Sequence, residues 1–425
     1  MAWRGNRATT GVRRPPTAVV VLVGAALLLS ACAAEPTGEP VSALPVRGSA
    51  APSSHTHSPG TPPHSHATTA STPAARAAAV PLRRGERMAT LRLPGGPYRP
   101  SAPAGGTDDY RCFLVDPGLD ADAFVTGSDV LPGNAEVVHH AILFTVPPSQ
   151  VPAAEQQDAA TPGEGWTCFG GTGLPGTGGA GGSLNSAPWL AGWAPGGGET
   201  VLRGRTGKWL EAGSRIVLQL HYNLRAGDAP DDTAVRLRLM PGTADLRRLE
   251  TMLLVAPVEL PCTAEETGPL CDRTRSVLDL ASRVGSDAGR TVSGLQLLCG
   301  GDIAAPRAGS TQSCDRRAPA DMVVRSVAGH MHLLGRSISV DLEPGTSDEQ
   351  RLLDRTVWNF DDQSATPLER PVRVQRGDTL RVTCTHDAAL RSMVPELADV
   401  EPRYVTWGEG TTDEMCLGIV LYTRT

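Results

Sequence analysis

The chain has 425 residues, a formal net charge of −6, abundant Gly, Pro and Ala, few aromatics and almost no Lys, so Arg carries most of the positive charge. An acidic body with no basic stripe argues against nucleic acid as a partner. The length allows two domains of ordinary size or one large all-β unit.

Arg4, Arg7, Arg13 and Arg14 precede the apolar run AVVVLVGAALLLSAC. That run is too short to span a bilayer comfortably and fits the core of a signal peptide over residues 1–31. It ends in Leu29-Ser30-Ala31-Cys32, which resembles a bacterial lipobox. The resemblance implies that Cys32 is lipidated as the first mature residue and anchors the exported chain to the outer face of the cell membrane. Ordinary cleavage near Ala31–Ala34 is the alternative, and export follows either way.

Residues 32–105 are dominated by Pro, Ala, Ser, Thr and Gly, a composition that buries too little apolar surface to offset ordering entropy, and they read as a disordered tether. The tether holds His55, His57, His64 and His66. Paired HxH units on a floppy chain can scavenge metal, but nothing there fixes a geometry.

From about residue 106 the texture changes. AEVVHHAILFTV, SRIVLQLHYNL, DTAVRLRLM and ETMLLVAPVEL are rich in β-branched residues or alternate apolar with polar, and so are MVVRSVAGHMHLLGRSISVDLE, VRVQRGDTLRVTC and MCLGIVLYTRT. Gly/Pro clusters bound these runs, and long amphipathic helical patterns are scarce. Many short strands between turn signals predict an all-β sandwich architecture. The Gly-rich run from Phe169 to Val201 reads as a long surface loop. A boundary near 245 divides the remainder into two similar pieces.

Setting Cys32 aside leaves Cys112, Cys168, Cys262, Cys271, Cys299, Cys314, Cys384 and Cys416. An even number in an exported chain reads as disulfides, and eight cysteines allow 105 connectivities. No CxxC pair is present, which argues against a zinc ribbon or a thioredoxin-like motif.

Six histidines lie outside the tether: His139, His140, His221, His330, His332 and His386. Five of them fall inside or at the ends of strand-like runs. Side chains at i and i+2 share a strand face, so His330 and His332 converge while Met331 points into the core. Two nitrogens under-coordinate a first-row metal, so a third ligand must come from elsewhere. Adjacent His139 and His140 point to opposite faces and reach one ion only at a bulge or strand end, using different ring nitrogens. His221 is placed to complete a three-nitrogen site. There is no HExxH, no strand-to-helix GxSxG and no Walker lysine.

These segments together resemble the copper type II, ascorbate-dependent monooxygenases. VVHHAILF is similar to the family's tandem-His strand, VLQLHYN to the strand of its third His, and GHMHLLGR to its His-x-His strand. WGEGTTDEMCLGIVLY is similar to its methionine-bearing segment, and TDDYRCFLVD to its first Cys-bearing strand. The resemblance spans about 106–425. It implies two tandem antiparallel, jelly-roll-like β-sandwich domains, 106–245 and 246–425, with one copper each, facing across a solvent-filled cleft. His139, His140 and His221 would bind an electron-transfer copper; His330, His332 and Met415 would bind the catalytic one. It also implies a disulfide between Cys384 and Cys416, tying the Met-bearing strand to its neighbour. Cys262 with Cys271 and Cys299 with Cys314 then suit local bridges, leaving Cys112 with Cys168. The implied reaction hydroxylates a C–H bond of a small organic substrate with O2, using electrons from ascorbate or another reductant. No obligate protein partner is implied.

The chain departs from the peptide-processing members of that family. Their substrate-gripping Arg is matched by Ala328, with Arg325 three residues earlier, and their polar side chains after the Met-Cys pair by Leu417 and Ile419. A peptidylglycine substrate is therefore not expected. His386 is read as an exposed loop residue with no role. The competing readings are a non-catalytic, copper-sequestering lipoprotein, motivated by the His-rich tether, and a structural adhesion module.

Overall fold

In the computed structural model, which describes residues 80–102, 106–174, 188–194, 197–360 and 362–425, the run RIVLQLHYN forms the strand Arg215–Asn223 at the centre of a five-stranded sheet. Its neighbours are Asp108–Val115 and Val138–Val146, with Trp166–Thr167 and Trp189–Trp193 at the edges. One face of the central strand sends Ile216, Leu218, Leu220 and Tyr222 into a core shared with Val125, Val235 and Leu237. Those partners belong to a second sheet, ordered Arg87–Arg92, Ala234–Pro241, Ala123–Leu131, Thr206–Leu210, Arg247–Arg248. The opposite face carries Val217, Gln219 and His221, each with no exposed surface. Burial on both faces is why this stretch reads as a nearly continuous apolar run.

Two four-stranded sheets follow. One is ordered Glu250–Val255, Leu417–Arg424, Met322–His330, Thr366–Val374; the other Thr311–Arg317, Thr379–His386, Gly335–Leu342, Gln350–Arg355. Leu254, Val324 and Val420 of the first meet Val340, Leu380 and Val382 of the second in one buried cluster. The chain crosses from one pair of sheets to the other at Leu249. Arg247–Arg248 still pairs, in parallel, with Thr206–Gly207, whereas Glu250 already pairs with Tyr422.

The fold is thus mostly β and its sheets antiparallel apart from that short parallel pairing, in keeping with the all-β expectation. Three local readings differ. Within the stretch read as tether, Arg87–Arg92 is a strand paired with Ala234–Pro241; the Pro- and Ala-rich surroundings mask its alternation. Within the run read as a loop, Trp189–Trp193 is an edge strand on Val138–Val146. Two helices, Arg273–Val284 and Ser286–Leu298, cover the second core through Leu280, Val292 and Leu295. Asp272 caps the first by accepting from the Arg275 N–H. Exposed Leu278 and Leu297 blur their apolar stripes. Residues 1–79, with the signal segment, Cys32 and the four tether histidines, lie outside the described residues.

Four disulfides join Cys112–Cys168, Cys262–Cys271, Cys299–Cys314 and Cys384–Cys416. This is the cysteine usage of an exported protein. Cys384 lies in the sheet opposite to the strand that follows Cys416. That bond therefore ties two facing sheets, not two neighbouring strands as expected. Among the described residues no helix is long and apolar enough to cross a membrane.

The segment before Arg87 is held by Arg238, whose side chain is 1 % exposed. Its guanidinium donates to Glu199 at 2.7 Å, Glu86 at 3.1 Å and the Pro81 carbonyl at 3.2 Å. Replacing Arg238 with Met leaves Glu199 without its cation and the buried Glu86 with Arg83 alone. An unfolding titration is expected to show a loss of about 3–5 kcal/mol; a loss below about 1 kcal/mol would mean the network contributes nothing.

Candidate functional site

The tandem histidines owe their geometry to an irregularity in the ladder. Val138 pairs with Tyr222 and His140 with His221, so His139 is an extra residue in its strand. Such a bulge bends the strand and re-aims a side chain. The three rings converge through the same atom type. The Nδ1 atoms of His139 and His221 are 3.0 Å apart, those of His140 and His221 3.3 Å, and those of His139 and His140 3.4 Å. The bulge was expected; the use of different ring nitrogens was not observed, because the bulge swings both rings to one side.

This triangle has the donor chemistry of a metal site. His221 Nε2–H donates to Asp108 Oδ1 at 2.8 Å, which fixes the tautomer and leaves the Nδ1 lone pair free. Tyr110 stacks on His221 with ring centroids 4.2 Å apart. Burial, and then the neighbouring imidazoles, hold His139 and His140 well below the ordinary histidine value, so both rings are neutral as ligation requires. Neutral rings cannot all satisfy one another through three mutually facing Nδ1 atoms. A cation among them resolves that conflict, and edges of 3.0–3.4 Å suit metal–nitrogen bonds of about 2.0–2.1 Å. Among the described residues this is the one His/Cys/Asp/Glu cluster with metal-ligand spacing.

The second set is assembled differently from the expectation. The strand ends at His330, and His332 stands in the turn before Gly335. The shared strand face is therefore not what brings the two rings together, although their centroids are 5.2 Å apart. Met331 is fully buried in the core, as its position between them requires. The turn is held by Glu414, whose carboxylate has no exposed surface. It accepts from the backbone N–H groups of Leu334 at 2.6 Å, His332 at 2.9 Å and Met415 at 3.2 Å. One carboxylate thus joins the His-x-His turn to the methionine.

Both rings of this second set present Nε2. His332 Nδ1–H donates to the Asp413 carbonyl at 3.0 Å, leaving Nε2 buried without a partner. His330 Nδ1–H donates to Gln363 Oε1 at 2.5 Å. Burial, then His332, push His330 down to about 4, so it too is neutral. A buried imidazole nitrogen with a free lone pair is the donor a metal needs. Met415 lines the same cavity as His330. His386 is not an exposed loop residue. It is 1 % exposed at the end of Thr379–His386, with Nε2 at 3.2 Å from the Met415 carbonyl and 3.3 Å from Glu414.

The two sets adjoin. The ring centroids of His140 and His330 are 6.4 Å apart, where a solvent-filled cleft was expected between the ligand sets. Thr411 closes the gap: its hydroxyl donates to Asp108 at 2.8 Å and accepts from Asn223 at 3.0 Å. Asp108 therefore touches His221 and the second pair of sheets at once. Desolvation opposes its ionisation, but bonds from His221, Thr411 and Thr107 outweigh it and hold the carboxyl below the ordinary range. Beside the rings lies a cavity of about 500 Å³ between the outward faces of two sheets, lined by Ile142 and Phe144 on one side and Ala328, Leu417 and Ile419 on the other.

Asp108, Gln363, Thr411, Asp413 and Glu414 were not singled out by sequence reasoning, and His386 was given no role. Glu414 had one signal, its place directly before Met415; Gln363 had none, being 33 residues from His330 in a loop.

Several solved structures show distant likenesses. The major capsid protein P2 from bacteriophage PM2 is 7 % identical over 79 % of this chain and 96 % of its own, with a TM-score of 0.29. An allantoicase from Saccharomyces cerevisiae is 12 % identical over 74 % and 77 %, with a TM-score of 0.17. A fucolectin from Morone saxatilis is 8 % identical over 80 % and 97 %, with a TM-score of 0.16. Likenesses at this level carry no functional argument. Residues 307–425, which hold His330, His332, Glu414 and Met415, match the family described as copper type II ascorbate-dependent monooxygenase, C-terminal domain, and this match supports that family for the chain.

Proposed function

We propose that the protein is a copper-dependent monooxygenase that hydroxylates a C–H bond of a small organic substrate with O2 and an external one-electron reductant such as ascorbate. We read the two pairs of sheets as tandem β-sandwich domains. His139, His140 and His221 hold one ion, and His330, His332 and Met415 hold the catalytic one. Cys32 is read as a lipid anchor of the exported chain. The observation that carries this reading is the pair of adjoining neutral-imidazole sets, each with its lone pairs fixed by a hydrogen bond on the opposite ring nitrogen or by mutual convergence.

Copper bound in these sets supplies one-electron cycling and O2 chemistry, which no side chain provides. The remaining work falls to the protein. Three imidazoles suit both copper oxidation states, and a thioether favours the reduced one. Asp108, Gln363 and the Asp413 carbonyl keep the ligand nitrogens deprotonated and aimed. The apolar wall of Ala328, Leu417 and Ile419 excludes water beside His330 and offers hydrocarbon a place to lie.

Metal analysis of purified, copper-loaded protein is expected to find about two ions per chain, falling to one in His332→Ala and in His140→Ala. Oxygen electrode traces are expected to show reductant-driven O2 uptake that a substrate accelerates. A sequestering protein would bind the same copper without substrate-dependent uptake, and would lose much of its capacity on deletion of residues 33–79, which leaves the strand Arg87–Arg92 in place.

A further inference from the structure

The cavity beside the histidines contains the chain's sole lysine. Of 39 Lys and Arg residues, only Lys208 is a lysine, and it is 8 % exposed on the cavity wall. Its ammonium donates to the Trp189 carbonyl at 3.1 Å and to the Thr251 hydroxyl. Both acceptors are neutral. Among the described residues no carboxylate stands at ion-pair distance from it. Glu250, whose charge it feels, is engaged by Arg424 and by the Tyr422 hydroxyl, and Glu199 on the same wall is engaged by Arg238. Burial pushes the Lys208 ammonium down to about 7. An ammonium has three donors, and two are used.

Buried charges are nearly always paired, so an ammonium on a cavity wall with a donor to spare and only neutral partners marks a place for an anionic ligand group. Ile142, Phe144, Ile419 and Leu421 make the cavity walls largely apolar, with the buried Gln219 and Glu409 also lining them.

We propose that the cavity binds an elongated, largely apolar substrate carrying one anionic group, such as a carboxylate, that seats on the Lys208 ammonium. This rests on the monooxygenase reading for its chemistry and adds the substrate class. It also orients the substrate. Trp189 pairs opposite Phe144, four residues from His140, which is roughly 13 Å along a strand. The C–H bond presented to the histidines is therefore remote from the anion, not adjacent to it.

The test uses full-length, metal-free protein, with decanoate and its neutral counterpart decanamide as probes, titrated by calorimetry. Decanoate is expected to bind at least tenfold more tightly than decanamide. It is also expected to protect Lys208 from reductive methylation, read as the mass of the single lysine-bearing peptide. Lys208→Met is expected to reduce the preference to about onefold, and Lys208→Arg to retain it. Equal affinities, no binding of decanoate, or a preference that survives Lys208→Met overturns the proposal. The wild-type comparison decides even where a variant fails to fold. Because the titration contains no copper, its failure is distinguishable from failure of the oxygenase reading, which copper stoichiometry and O2 uptake of the loaded protein test separately.

Discussion

Met415→Ile is expected to lower substrate-dependent O2 uptake at least about 100-fold, since losing even an outer partner of a metal ligand costs 10–100-fold. Met415 is 5 % exposed and packs in the second core. Ile fills nearly the same volume, so the change is expected to cost less than about 1.5 kcal/mol of stability. The sulfur is what disappears. Copper at His139, His140 and His221 is expected to remain at one equivalent, because Met415 belongs to neither of the strands that carry them. The measurement pairs turnover with metal content and a thermal unfolding curve. Full turnover in this variant would remove the thioether from the catalytic set and return Met415 to the role of a core residue.

Glu414→Gln is expected to damage the same centre by a different route. The wild-type carboxylate accepts three backbone N–H groups and faces His386. An amide keeps one acceptor oxygen and replaces the other with a donor, so one or two buried N–H groups are left unsatisfied. The expected cost is about 2–3 kcal/mol, at 1–3 kcal/mol for each such group. The turn that positions His332 and the Met415 backbone are then no longer all held by one group, and copper affinity at the second set is expected to fall 10–100-fold, the usual effect of losing a partner that orients a ligand. The first set is expected to hold its ion unchanged. A denaturant midpoint and a copper titration check the two effects separately. Wild-type affinity for the second ion in Glu414→Gln would show that the carboxylate only supports the fold.

Much of the site can be read one residue at a time. Imidazole pairs in strand-like runs, a methionine before a cysteine, and apolar residues at Ala328, Leu417 and Ile419 are all visible in the string of letters, because ligand chemistry and hydropathy belong to single side chains. The bulge at His139 is a different matter. Tandem histidines call for a bulge if both are to reach one ion, but which nitrogens meet depends on how Val138–Val146 registers against Arg215–Asn223. Register is a property of two strands together.

The outer partners were illegible for the same reason. Gln363 meets His330, Asp108 meets His221, and Thr411 meets Asp108 across 303 residues. No spacing rule links such pairs; loops and sheet packing bring them together. His386 misled because its neighbours resemble a loop, whereas the end of a strand buries it behind Met415.

Composition and pattern alone point to an exported, β-rich chain with imidazole and thioether side chains of the kind that suit a soft transition metal, since each of these expectations follows from residue types and their local order. Packing of one sheet pair against the other decides the rest. It sets His140 within 6.4 Å of His330 and encloses a cavity with Lys208 on its wall. The cause is that buried polar groups must find partners and outward apolar faces must leave water, and both demands are met only by surfaces far apart in the chain.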